Sequence, residues 1–239
     1  MSVHLRKIRF FPQQYPTREH YPFRLELFQK MEVFDFTAPV VLLAGENGSG
    51  KSTLLEAVAR KCGIHIWKPE ERTRVNYNPY EDELYKYTLV DWVDGPVPGS
   101  FFAAEIFKNF AQNLDEWAAT NPGQLKYFGG RSLLTQSHGQ SLMSFFRSRY
   151  QIKGLYLLDE PETALSPQSQ LDLLAIVKEM SRAGHAQFVI ATHSPILLAV
   201  PGAHIYCLDQ VPIQRVEYLE TEHYRLYRDF LNHPERYCR

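Results

Sequence analysis

Two short runs, far apart in the chain, hold the residues whose types and spacing can do chemistry. In the first, LLAGENGSGKSTLLEAV (residues 42–58), Gly45, Gly50, Lys51 and Ser52 satisfy G-x-x-x-x-G-K-[ST]. The glycines let the backbone of Gly45, Glu46, Asn47, Gly48, Ser49 and Gly50 turn its N–H groups inward on the phosphates of a nucleoside triphosphate such as ATP. Lys51 can reach the β- and γ-phosphates, and the Ser52 hydroxyl can ligate Mg²⁺. In the second run, LYLLDEPE (155–162), an apolar strand delivers Asp159 next to Glu160. One acid can hold the metal, through a water, against the loop serine; its neighbour can polarise a water in line with the γ-phosphate. A kinase has no use for that second acid, so the pair points to hydrolysis.

Such residues need a strand before the phosphate loop and a helix after it. VVLLAG is short, continuously apolar and β-branched at its start, as a fully buried parallel strand requires. Beyond the loop, Leu54, Leu55, Val58 and Ala59 share a helical face that Gly63 can end, and the positive end of that helix points at the same anions. Upstream, FRLELF alternates Phe23, Leu25 and Leu27 and predicts a half-buried strand, and MEVFDF predicts another. Residues 64 to about 150 read as an inserted irregular and helical lobe. In it, YTLVDWV predicts a strand, FFAAEIFKNFAQNLDEW a helix striped by Phe102, Ile106, Phe110 and Leu114, and SLMSFFRSRY a second helix. The beat then becomes regular. KGLYLLDE and AQFVIATHSP are strands, separated by a helix with Leu171, Leu174 and Val177 in register and Gly184 as terminator. AHIYCLD and IQRVEYL form a strand pair, and EHYRLYRDFLN is a closing helix expected to pack on the core. The alternation predicts an α/β fold in a single domain over 1–239, with a mainly parallel central sheet and an N-terminal antiparallel β part.

The 239 residues are 44% hydrophobic and 22% charged, enough for a sizeable core. A formal net charge of −1 weakly disfavours a nucleic-acid binder. Cys62, Cys207 and Cys238 have no paired spacing, which argues against a disulfide framework or a zinc site. No run approaches the roughly 18 apolar residues of a membrane helix. The N-terminus lacks a signal-peptide pattern, so a cytoplasmic location is expected.

After the phosphate loop come DEPETALSP (159–167) and THSP (192–195). With these, from about residue 40 to 210, the chain resembles the ATP-binding cassette (ABC) ATPases, whose fold is a P-loop NTPase. It is most similar to the soluble members related to SMC proteins and to overcoming-lysogenization-defect ATPases. The resemblance implies ATP and Mg²⁺ as ligands, with Lys51, Ser52 and Thr53 contacting phosphates and metal. Asp159 would be the metal-holding acid, Glu160 the catalytic base and His193 the switch histidine at the γ-phosphate, with residues 162–166 as the D-loop.

The family's Leu-Ser-Gly-Gly-Gln signature corresponds to QSHGQS (136–141). Ser137, Gly139 and Gln140 would contact nucleotide there, although Gln136 and His138 depart from the pattern. Glu105 in FFAAEIF stands in the place of the usual Q-loop glutamine. Tyr15, Tyr21 and Phe23 are candidates for stacking on adenine. One phosphate loop and one signature per chain imply a head-to-tail homodimer that closes on ATP. The resulting expectation is a soluble ATP-gated switch with a protein or nucleic-acid client. The alternative is the nucleotide-binding subunit of a membrane transporter with a separate permease.

Overall fold

The computed structural model describes residues 3–68, 78–121, 123, 125, 130, 132 and 138–238. Strand β1 (Leu5–Phe10) turns Leu5, Ile8 and Phe10 inward and leaves Arg6 and Arg9 in solvent. Next come helix α1 (Glu26–Lys30) and strand β2 (Val33–Asp35). FRLELF is therefore not a strand. The residues it buries are Phe23, Leu27 and Phe28, a helical rather than an alternating spacing, and Glu26 pairs with Lys30 one turn on. Strand β3 (Val40–Ala44) has all five residues buried and runs through the glycine-rich loop into α2 (Lys51–Lys61). Leu54, Leu55, Val58 and Ala59 of α2 are all buried, and Gly63 beyond it adopts φ +69°.

Strand β4 (Thr88–Trp92) pairs antiparallel with β1, giving a three-stranded sheet of order β2-β1-β4. Strand β5 (Gly99–Ala103) leads directly into α3 (Ala104–Thr120). The helix expected from Phe101 onward thus starts three residues later. Phe101 and Phe102 sit on opposite faces of a strand that is buried on both sides, so two adjacent phenylalanines are what that strand needs. Then follow α4 (His138–Arg149), β6 (Gly154–Asp159), α5 (Pro167–Arg182), β7 (Ala186–Ala191), the short α6 (Pro195–Leu198), β8 (His204–Cys207), β9 (Gln214–Val216) and α7 (Glu222–Asn232).

Six strands form the central sheet in the order β5-β6-β7-β3-β8-β9. All its pairings are parallel except the antiparallel β8–β9 pair. The chain is thus α/β with a mainly parallel sheet and an N-terminal antiparallel part. Two cores flank the central sheet. Val40, Leu42 and Ala44 face α3, α4 and α5; Val41 and Leu43 face α2 and the antiparallel sheet.

Two helices pack differently from their sequence pattern. In α5 the buried apolar residues are Leu173, Ile176 and Val177, while Leu171 is 49% exposed, so the inward face is rotated from the expected one. Helix α7 buries none of its residues, and Leu231 is 72% exposed. It is not the core-packing helix its composition implied. Its apolar side chains border an open groove of about 790 Å³ shared with α5 and α6.

One buried amide joins the two sheets. Gln187 of β7 is fully buried; its Oε1 accepts from the N–H groups of His4 and Leu5, both at 2.7 Å, and its Nε2 donates to Leu5 O at 2.9 Å. Gln187→Leu would leave three buried backbone groups unpaired. It should lower unfolding free energy by about 2–4 kcal/mol in urea titrations. A loss below about 1 kcal/mol would show that the sheets are held by apolar packing alone.

Candidate functional site

Parallel strands end at the same edge of their sheet, and the crevice outside their carboxyl ends is where such sheets present ligand-binding loops. Here β7 lies between β3 and β6, with Ala191 in register with both Leu43 and Asp159. Ala103 of β5 is level with Asp159, and Cys207 of β8 with Ala44. The phosphate loop, the DEPE run, His193, Glu105 and Asp209 therefore all emerge along one edge.

Backbone geometry explains the loop's glycines. Gly45 has φ +147°, and a Cβ there would lie 2.9 Å from both Asp209 Oδ1 and Ser49 Oγ. Gly50, at φ +99°, caps α2 where a Cβ would come within 3.1 Å of Leu27. Asp209, which the motif reading missed, accepts the Glu46 N–H at 2.7 Å and so anchors the loop from β8. The only hint in sequence is an acid at the end of an apolar run, as in the DEPE strand. Lys51 is buried and folds back across the loop, donating to Gly45 O at 2.7 Å and Glu46 O at 2.9 Å. Burial lowers its pKa, against the pull of the Glu160, Asp209, Asp159 and Glu46 carboxylates.

The residues present fit a nucleotide phosphate and Mg²⁺. The buried Ser49 hydroxyl has no hydrogen-bond partner among the described residues. Glu46, Asn47 and Gly48 are open to solvent at the rim. The Ser52 hydroxyl donates to Asp159 Oδ1 at 3.0 Å, and a hydroxyl with a carboxylate is the hard-oxygen set that Mg²⁺ takes. Thr53 is buried, with its hydroxyl 2.7 Å from that of Tyr21.

Burial raises the Asp159 pKa to about 7; the charges of Glu160 and Glu56 push the same way, against the Ser52 bond and Lys51. Glu160 adopts the left-handed conformation, φ 43° and ψ 54°, the only positive φ among the described non-glycine residues. Such strain costs of order 1 kcal/mol. Local bonds hold it in place: its N–H donates to Ala191 O at 3.0 Å, and its carbonyl accepts from Thr163 N at 3.1 Å and Thr163 Oγ1 at 2.8 Å. The twist brings the Glu160 carboxylate toward β7, where Oε1 lies 3.3 Å from His193 Nε2. The His193 backbone N–H donates to Glu162 Oε1 at 2.6 Å. Glu162 therefore ties the DEPE turn to the histidine, and burial raises its pKa.

Other expected positions are placed less centrally. Glu105 is exposed in the first turn of α3, at the same sheet edge. Phe23 is fully buried and has no free face for an adenine; Tyr15 packs on it and bonds Phe28 O at 3.1 Å. Gly139 and Gln140 lie in the first turn of α4, whereas Ser137 falls outside the described residues.

Comparisons with known proteins bear on this site. A family model described as "AAA domain, putative AbiEii toxin, Type IV TA system" matches residues 133–199, and one described as "AAA domain" matches 23–62. A putative ABC transporter ATP-binding protein of Pyrococcus horikoshii is 27% identical over 67% of this chain and 65% of its own length. The thiamine import ATP-binding protein ThiQ of Ruegeria sp. (strain TM1040) is 27% identical over 66% of this chain and 72% of its own. The SMC head domain from Thermotoga maritima aligns with a TM-score of 0.46 and 15% identity, covering 90% of this chain and 100% of that one. The sequence matches support an ABC-type P-loop ATPase.

The Asp159 environment has a consequence for stability. The folded protein holds this proton up to about pH 7, whereas the ordinary value is 3.8. Between those values the folded state binds more protons than the unfolded chain, so stability falls as pH rises through the window. Asp159→Asn removes the buried charge and can still accept from Ser52. With nucleotide and divalent cations removed, it should raise stability at pH 8 by on the order of 1–2 kcal/mol. The gain should shrink toward pH 5, which melting curves across pH would check. A pH-independent change would mean that Asp159 keeps an ordinary pKa.

Proposed function

We propose that this chain binds ATP with Mg²⁺, hydrolyses it to ADP and phosphate, and uses the cycle as a cytoplasmic switch that closes as a head-to-tail homodimer. The observation that carries this reading is the cluster at the sheet edge. Lys51, the Ser52–Asp159 pair at 3.0 Å and the Glu160–His193 pair at 3.3 Å converge around the phosphate loop. Lys51 would leave the Gly45 and Glu46 carbonyls for the β- and γ-phosphates. Ser52 and Asp159 would hold the metal, which when bound offsets phosphate charge and orients the triphosphate. Glu160, held in its left-handed conformation by local hydrogen bonds, would accept the proton of the attacking water. His193 would donate to the γ-phosphate and so sense whether it is present. General-base catalysis of this kind contributes about 10²- to 10⁴-fold.

Ser137, Gly139 and Gln140 are proposed to act in trans, with α4 of one copy capping the nucleotide held by the other. The family-model match at 133–199 is to a model whose description names no transport role, which fits the switch reading. The transport names of the relatives favour the second reading, a nucleotide-binding subunit serving a separate permease.

Glu160→Gln should bind Mg-ATP, lose turnover and accumulate as a dimer by light scattering, while Lys51→Ala should bind no ATP and stay monomeric. A Glu160→Gln protein that is saturated with Mg-ATP yet monomeric would remove homodimer closure. A membrane-spanning chain that co-purifies with Glu160→Gln, and not with Lys51→Ala, would select the transporter reading.

A further inference from the structure

His193 has a partner on its other ring nitrogen. His223, the second residue of α7, places Nε2 at 3.0 Å from His193 Nδ1, with ring centroids 5.1 Å apart. One of these nitrogens donates and the other accepts. If His193 kept its proton on Nδ1, its bare, buried Nε2 would lie 3.3 Å from the Glu160 carboxylate, two electron-rich atoms close together. The reverse arrangement is favourable at both ends: His223 Nε2–H donates to His193 Nδ1, and the positive end of the buried His193 Nε2–H lies 3.3 Å from Glu160 Oε1, a Coulombic contact without a hydrogen bond that leaves this N–H free for a phosphate oxygen.

The site around His223 is built to hold that geometry although α7 buries none of its own residues. Thr221 is buried and caps the helix, accepting from Tyr224 N at 3.3 Å while its hydroxyl donates to Tyr218 O at 2.8 Å. The Tyr218 and Tyr224 rings pack against each other at a tilt, centroids 4.8 Å apart, bracketing the first turn that carries His223. Burial lowers the His223 pKa, and the neighbouring His193 lowers it further, so His223 is held as a neutral imidazole with one proton to give.

We infer that His223 is a positioning residue for His193: it fixes the tautomer that carries the proton on Nε2 and aims it at the sheet edge where the γ-phosphate would lie. In an imidazole, the hydrogen bond at one nitrogen decides which nitrogen carries the proton. The inference deepens the hydrolysis reading and rests on it for its catalytic consequence, but the proton's location stands independently. It also makes α7, none of whose residues is buried, part of the nucleotide-sensing apparatus.

The test combines long-range ¹H–¹⁵N spectra of histidine-labelled, nucleotide-free protein with steady-state ATPase kinetics. Wild type should show His193 protonated on Nε2 with Nδ1 bare. His223→Leu should lose the single tautomer and lower kcat roughly ten-fold, as loss of an orienting partner does at other imidazole sites, with KM for ATP changed less than about two-fold. His223→Gln, whose amide can donate to Nδ1, should restore most of kcat. A proton on His193 Nδ1 in wild type overturns the inference, and that spectrum decides even if the leucine variant misfolds. Wild-type kcat and tautomer in His223→Leu would overturn it as well. Wild-type protein that turns over no ATP would instead sink the hydrolysis reading, leaving the tautomer to decide the His223 bond alone.

Discussion

With β7 hydrogen-bonded between β3 and β6, the phosphate loop and the DEPE turn are held two strand spacings apart, about 10 Å. The Ser52–Asp159 bond spans that separation from the first turn of α2. His193, leaving the interposed strand, stands between the two halves and meets Glu160. Move β7 to an outer position and the loop and acids would be adjacent, but nothing would deliver a histidine between them. Strand order, more than any single residue, decides which side chains share the edge.

That edge is held against its own electrostatics. Asp159 is buried enough to keep its proton to about pH 7 in the nucleotide-free protein, Lys51 is buried against loop carbonyls, and Glu160 is held in a left-handed conformation. Each costs stability, and a triphosphate and a divalent cation would offset the first two by supplying opposite charge. The remaining fold compensates through two cores and buried polar staples such as Gln187. A scaffold rigid enough to tolerate such a site is the common condition for strained residues to persist.

Much of this was legible in sequence, because it is local. The five-residue apolar run of β3, the G-x-x-x-x-G-K-S spacing and the acid-ended strand each declare themselves within a dozen residues. The failures have particular physical causes. Phe101 and Phe102 look like the start of a helix because a strand buried on both faces shows no alternation. FRLELF alternates, yet Phe28 pulls the segment into a helical turn. Helix α7 has an apolar stripe that faces a groove instead of the core. Asp209 and His223 escaped notice, and Glu162 was placed in the D-loop without its bond to His193, because these roles are tertiary: Asp209 bonds the Glu46 backbone across 163 positions, and His223 reaches His193 across 30. No spacing rule links such pairs.

In the proposed function, Glu160 and the phosphate loop form one hydrolytic centre completed by a second copy of the chain. Phosphate release from Mg-ATP, measured against protein concentration, tests it most directly. The rate per chain should rise with concentration until pairing saturates, and mixing in catalytically dead but dimerising protein should alter it. A rate per chain that is constant across concentration and indifferent to such mixing would mean that each copy works alone.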